Sequence, residues 1–195
     1  MKKRKKGCAF CREDFPYDYQ LISDAPAYWF LLSNISPQCD FHCLLVFKSK
    51  VFDKIGHISD LGDSRLPNKA VAELGLLLKK ASMAIKKSDP KIENVLLASL
   101  NTGKTTKHMH FHLIPKRRGE KVKTVNNPND DGGGLFFLAR KEIVVDTFKE
   151  FINSTTADNG SMLIDKIDKA TRKRVKTNTT LLKENFEKIW TSDNN

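Results

Sequence analysis

No run in this 195-residue sequence approaches the roughly 18 consecutive apolar residues that a membrane-spanning helix needs. The basic start MKKRKKGCAFCRED is not followed by the apolar segment of a secretory signal. Both absences point to a cytoplasmic protein with no membrane partner. Cysteine is scarce, with four residues at 8, 11, 39 and 43, and without a secretion signal these argue for thiols or a metal site before disulfides. No internal repeat and no extended low-complexity tract is present, which excludes a repeat architecture. Acid is in deficit: 34 Lys and Arg against 23 Asp and Glu give a net charge of +11 and a pI near 9.5. Such a surface draws polyanions, whether nucleic acid, anionic lipid or phosphorylated small molecules, and charge alone does not choose among them. The lysine pairs at 79–80 and 86–87 read as a solvated face and KKRKK as a disordered tail. Histidine is scarcer still, with five in the chain, yet three of them sit in KHMHFHLIPKR, residues 107–117.

The balance of 39% hydrophobic and 29% charged residues is that of a globular chain, and the length suits one domain with an appendage. Short apolar or alternating runs at 28–32, 43–47, 94–100 and 108–114, each bounded by turn formers, read as strands. Val71, Leu74, Leu78, Ala81 and Ile85 step by three and four, which predicts an amphipathic helix entered at Pro67-Asn68 and stopped by Ser88-Asp89-Pro90. Strands, one helix and more strands give an α+β fold: an antiparallel sheet with a long helix packed on one face. After Pro115 a basic stretch leads into the turn-rich NNPNDDGGG, read as a surface loop, and Val145, Phe148 and Ile152 then continue at helical spacing. TTADNGS marks a boundary. From 162 onward a helical extension carries Leu182, Phe186 and Ile189 along one side, but it is poor in large apolar residues between 168 and 180 and needs another surface to pack on. The expected organisation is a basic tail at 1–7, a catalytic domain at 8–153 and a helical C-terminal extension at 161–195.

On a strand, His108, His110 and His112 share one face while Met109, Phe111 and Leu113 turn to the other. Each imidazole needs partners for two ring nitrogens, so three in register are hard to explain as core packing. Two chemistries fit: a three-histidine metal centre that activates water, or a neutral imidazole that attacks phosphorus directly. Upstream, NTGKTTK offers Asn101, the approachable backbone of Gly103, the hydroxyls of Thr105 and Thr106, and the ammonium groups of Lys104 and Lys107, all donors for phosphate oxygens. No carboxylate lies nearby in sequence. Phosphate chemistry is favoured.

HMHFHLI, together with ISPQCDFHCLLVFKSK at 35–50 and VLLASLNTG ending at 103, resembles the histidine-triad (HIT) family of Hint-like and Fhit-like nucleotide hydrolases and transferases over roughly residues 8 to 118. The resemblance implies a nucleotidyl hydrolase or transferase working at the α-phosphate of a nucleoside phosphoramidate or dinucleoside polyphosphate. His110 matches the nucleophile, with its Nδ1–H held by the carbonyl of His108. His112 matches the histidine near the scissile bridging atom, and His108 and His42 the supporting histidines. Asn101 and Thr105 match phosphate contacts, Asn34 the residue that binds the ribose hydroxyls, and Ile35 a contact with the base. A homodimer is implied as well, and no cofactor is required for the chemistry.

The sequence departs from the family where NTGKTTKH is shorter than the usual loop and lacks its glycine and glutamine, and where Phe41 replaces a small residue. The pair Cys8 and Cys11 resembles that of zinc-carrying bacterial HIT proteins, with His57, Cys39 or Cys43 as candidates to complete a structural site. A redox pair and two unrelated thiols are the other readings. Two alternatives to the leading function stand beside it: a three-histidine metallohydrolase, and a basic nucleic-acid-binding or adenylate-removing HIT protein, with nucleic acid a secondary partner to the nucleotide.

Overall fold

The computed structural model describes residues 8, 10, 15–35, 37, 39–48, 58, 60–99, 108–120, 122–126, 134–138 and 168–192. Five strands form one antiparallel sheet in the order β1-β2-β3-β5-β4: β1 Leu21–Ser23, β2 Trp29–Ser33, β3 Cys43–Phe47, β4 Ile92–Ala98 and β5 His110–Arg117. A separate hairpin pairs β6 Val122–Asn126 with β7 Gly134–Leu138. The helices are α1 Asn68–Ser88 and α2 Lys169–Ser192.

The strand period divides the sheet into two faces. Trp29, Leu31, Leu45, Phe47, Phe111 and Leu113 turn to one side and form the main core with Leu74, Leu77 and Ala81 of α1 and Leu182 and Phe186 of α2. Phe30, Leu32, Leu44 and Val46 turn to the other, where Phe15 and Phe10 pack on them. Trp29 is wholly buried and donates its indole N–H to the Ala70 carbonyl at 2.8 Å, which ties β2 to the first turn of α1. Pro67 precedes α1 with φ −66°, suited to helix entry, and Lys86 and Lys87 in the last turn match the negative end of the helix dipole.

The inward face of α1 differs from the sequence expectation. Ala70, Leu74, Leu77, Ala81, Ala84 and Ile85 are buried, whereas Val71 is 42% exposed and Leu78 only half-buried. Alanines at 70, 81 and 84 let the helix approach the sheet, so the apolar stripe is wider than the core it covers. Lys80 is buried too, because its ammonium donates to the Ile189 and Trp190 carbonyls at the C-terminal end of α2 and lies 4.7 Å from the Trp190 ring centroid.

The C-terminal helix packs on the same sheet face as α1. Where large apolar residues run out, Val175 and Thr179 fill the interface, and Thr179 Oγ1 donates to Ser33 Oγ at 2.8 Å. Asn185 donates to Ser88 Oγ at 2.9 Å, closing α2 onto the end of α1. Two further differences are strands: β1 has three residues and β6 lies in the basic stretch after Pro115, both too short or too charged to show an apolar run. The expected helical spacing at 145–152, the TTADNGS boundary, the NPNDDGG part of the turn-rich loop (127–133) and the KKRKK tail lie outside the described residues.

Candidate active site

Two of the three clustered histidines stand on β5, opposite β3 in the register Val46↔His110 and Leu44↔His112. Their rings, two residues apart on one face, have centroids 5.0 Å from each other. His108 lies just before β5 and is fully buried, its Nε2 donating to the Phe47 carbonyl at 2.7 Å. That bond leaves Nδ1 of His108 as an acceptor, 3.7 Å from the Cys8 thiol. His110 Nδ1 donates to the His108 carbonyl at 2.7 Å, which fixes the tautomer and leaves the lone pair on Nε2. Phe10 covers this end of the row, with ring centroids 5.0 Å from His110 and 5.5 Å from His108.

His42 reaches the row from the turn between β2 and β3. Phe41, just before it, takes φ +61°, a left-handed conformation unusual for an aromatic residue, and its ring is buried in the main core. The turn is closed by Asn34 N–H to the His42 carbonyl at 2.8 Å. His42 Nε2 lies 3.0 Å from His112 Nδ1, and the Asn34 amide nitrogen lies 3.3 and 3.4 Å from the two ring nitrogens of His42. An amide nitrogen only donates, and a ring nitrogen has one lone pair. One arrangement serves Asn34, His42 and His112 together: Asn34 donates to His42 Nδ1 at 3.4 Å, and His42 Nε2–H donates to His112 Nδ1 at 3.0 Å. His112 is then left with its proton on Nε2.

Burial keeps these rings neutral. It lowers His42 to about 3 and His110 to about 4, the His108 carbonyl opposing the second shift. His112 falls well below its ordinary value through burial and through its neighbours His42 and His110. A neutral imidazole with an aimed Nε2 lone pair is a nucleophile, and a neighbouring Nε2–H is a hydrogen-bond donor for charge that develops beside it.

The family model described as HIT domain matches residues 20–119, about half of the chain. The chain belongs to the HIT family. Membership suggests nucleotide hydrolase or transferase activity, the general activity of HIT proteins. Among solved structures, the chain is similar to a zinc-bound histidine triad family protein from Mycobacterium smegmatis, 24% identical over 57% of this chain and 74% of that one, with a TM-score of 0.42. It is similar to a hypothetical histidine triad nucleotide-binding protein from Sulfolobus tokodaii, 14% identical over 87% and 84% of the two chains, with a TM-score of 0.48. A HIT-like protein involved in cell-cycle regulation from Bartonella henselae is 16% identical over 78% and 81%, with a TM-score of 0.40. No curated protein sequence matches the chain.

Of the residues singled out in the HIT sequence, His42, His108, His110, His112 and Asn34 come together, with half-buried Ile35 next to Asn34 in the chain. Asn101, Gly103, Thr105, Lys107, Cys11 and His57 lie outside the described residues. Cys8 sits against His108, whereas Cys39 donates to the Pro115 carbonyl and Cys43 to the Phe41 carbonyl. Among the described residues, no group of three or more His, Cys, Asp or Glu is arranged to hold a metal, and no helix is long and apolar enough to cross a membrane. Sequence reasoning missed Phe10 as the cover of the row. Its signal was an aromatic residue between the two cysteines of CAFC.

Proposed function

We propose that the protein is a nucleotidyl hydrolase or transferase acting at the α-phosphorus of a nucleoside phosphoramidate or dinucleoside polyphosphate. The observation that carries this reading is the 2.7 Å bond from His110 Nδ1 to the His108 carbonyl, which dedicates Nε2 of a neutral ring to attack. His110 Nε2 forms a bond to phosphorus as the bond to the leaving group breaks. His112 Nε2–H donates a hydrogen bond toward the bridging atom and offsets charge gathering there. Water then attacks the nucleotidyl-histidine, the P–N bond breaks and a nucleoside monophosphate leaves, the water proton passing to solvent. His42 and His108 position the two working rings. Asn34 and Ile35 serve the ribose and base, and Asn101, Gly103, Thr105 and Lys107 the phosphate oxygens.

Rapid quench of the protein with a panel of adenosine and guanosine phosphoramidates and dinucleoside polyphosphates should trap a nucleotide on His110. His110→Ala should lose turnover by several orders of magnitude while nucleotide binding persists. Turnover of that variant near the wild-type rate would end the assignment.

A structural zinc fits one edge of the site. The Cys8 thiol and His108 Nδ1 are 3.7 Å apart. Two ligands of a tetrahedral zinc, at about 2.3 Å for sulfur and about 2.0–2.1 Å for nitrogen, stand roughly 3.6 Å apart. The bond from His108 Nε2 to Phe47 is the kind of outer contact that orients a zinc-bound imidazole. Cys8, Cys11 and His108 would hold the ion. Its role there is to anchor the segment bearing Phe10, without entering the reaction.

The dimer reading finds support at β4, an edge strand of the sheet. Leu97 on that strand is 54% exposed, and Val71 on α1, which packs against β4, is 42% exposed. An open edge beside exposed apolar side chains suits pairing with a second copy across a two-fold axis.

A further inference from the structure

One flank of α2 carries a row of cations that neither the fold nor the histidine site uses. Lys169, Arg172, Lys173, Lys176 and Lys183 are all exposed, and no acidic residue occurs from 169 to 183. Cations in the first two turns oppose the helix dipole, so helix stability does not account for them. Arg174, on the other flank, pairs with Asp40 at 3.9 Å, whereas among the described residues these five make no ion pair.

The row has an aromatic neighbour and a groove. The guanidinium carbon of Arg172 lies 5.4 Å from the Tyr19 ring centroid, and Tyr19 stacks on Tyr17 at 5.8 Å and 13°. Farther along, a cavity of about 270 Å³ between β1 and α2 is lined by Leu21, Ser23, Lys183 and Trp190. Asp24 and Glu187 line it as well, and Asp18 is exposed in the turn beside Tyr19. The middle of α2 touches both ends of the turn that carries Asn34 and His42, through Thr179 to Ser33 at 2.8 Å and Asn178 to Asp40 at 3.4 Å.

We propose that this flank of α2, with Tyr19 and the β1 groove, binds a single-stranded nucleic acid along its phosphate backbone. The row from Lys169 to Lys183 spans about 21 Å at 1.5 Å per residue. A track of that length follows a run of several nucleotides, in keeping with the roughly 4–16 nucleotides that single-strand grooves hold. A cationic track with an arginine set over an aromatic ring suits unstacked bases. A lipid surface fits less well, since an interfacial helix must insert its apolar face and Val175, Leu182 and Phe186 are already buried against the sheet and α1. The inference goes beyond the hydrolase reading, because binding along α2 does not require the histidines to turn over.

The test is fluorescence anisotropy of the full chain with a labelled oligothymidylate of roughly a dozen nucleotides, across a salt series. Five contacts should give a log–log salt slope of about −3.5, at about 0.7 per phosphate for single strands. The triple variant Arg172→Gln, Lys176→Gln, Lys183→Gln should flatten the slope by about 2 and weaken binding at least tenfold. A control of equal charge loss on α1, Lys79→Gln, Lys86→Gln, Lys87→Gln, should leave both unchanged. The proposal is overturned by absence of binding at low salt, by an equal effect of the control, or by tighter binding of the wild type to phosphatidylserine vesicles than to the oligonucleotide.

Discussion

Protonation of His42 should tie the stability of this fold to pH in a calculable way. Its ring is 2% exposed and burial lowers it to about 3, against about 6.5 in the unfolded chain. Because the folded value is depressed, the unfolded state binds more protons between those limits, and stability falls as pH drops below about 6.5. At about pH 5 the unfolded imidazole is mostly charged and the folded one is not, a difference of about 1.5 log units or roughly 2 kcal/mol. At about pH 4 it grows to roughly 3 kcal/mol, a large share of the 5–15 kcal/mol of an ordinary domain. His112, lowered by burial and by His42 itself, acts in the same direction. Urea unfolding at about pH 7.5 and about pH 5 measures the sum. In His42→Gln the loss on acidification should shrink by about 2 kcal/mol, since one titrating group is gone. An unchanged pH dependence in that variant would refute the claim that His42 is held neutral by burial.

Phe186→Ala should cost about 3–5 kcal/mol in urea or thermal unfolding, because the ring is fully buried in the core shared by α1, α2 and the sheet; a cost below about 1 kcal/mol would mean that α2 is dispensable to the domain. Leu97→Lys, at an exposed position, should leave monomer stability within about 0.5 kcal/mol while abolishing the dimer in sedimentation. A variant that still dimerises would move the interface away from β4. Native mass spectrometry should find one zinc per chain, lost in Cys8→Ser together with several degrees of thermal stability; a zinc-free wild type of full stability would dismiss the ion.

Legibility in the sequence followed the range of the contacts involved. β2, β3, β5 and α1 were readable because their side-chain periods are local, and Met109, Phe111 and Leu113 turned inward as alternation requires. The interior of α2 was not, since Thr179 replaces a large apolar residue with a hydroxyl bond to Ser33, 146 residues away. Val71 misled for the opposite reason: it continues the apolar stripe of α1 but is left exposed.

The site divides along the same line. The bond from His110 to the His108 carbonyl joins residues two apart, so a strand entry of this shape nearly supplies it once the histidines are spaced by two. The direction of the second chain is different in kind. It depends on Asn34 donating to His42 Nδ1, and on His42 meeting His112 across 70 residues of sequence. Spacing and the short bond give His110 its Nε2 lone pair, but only the polarity of that longer chain gives His112 a proton on the nitrogen it has left. Nucleophile and donor therefore differ here by their partners, not by their spacing.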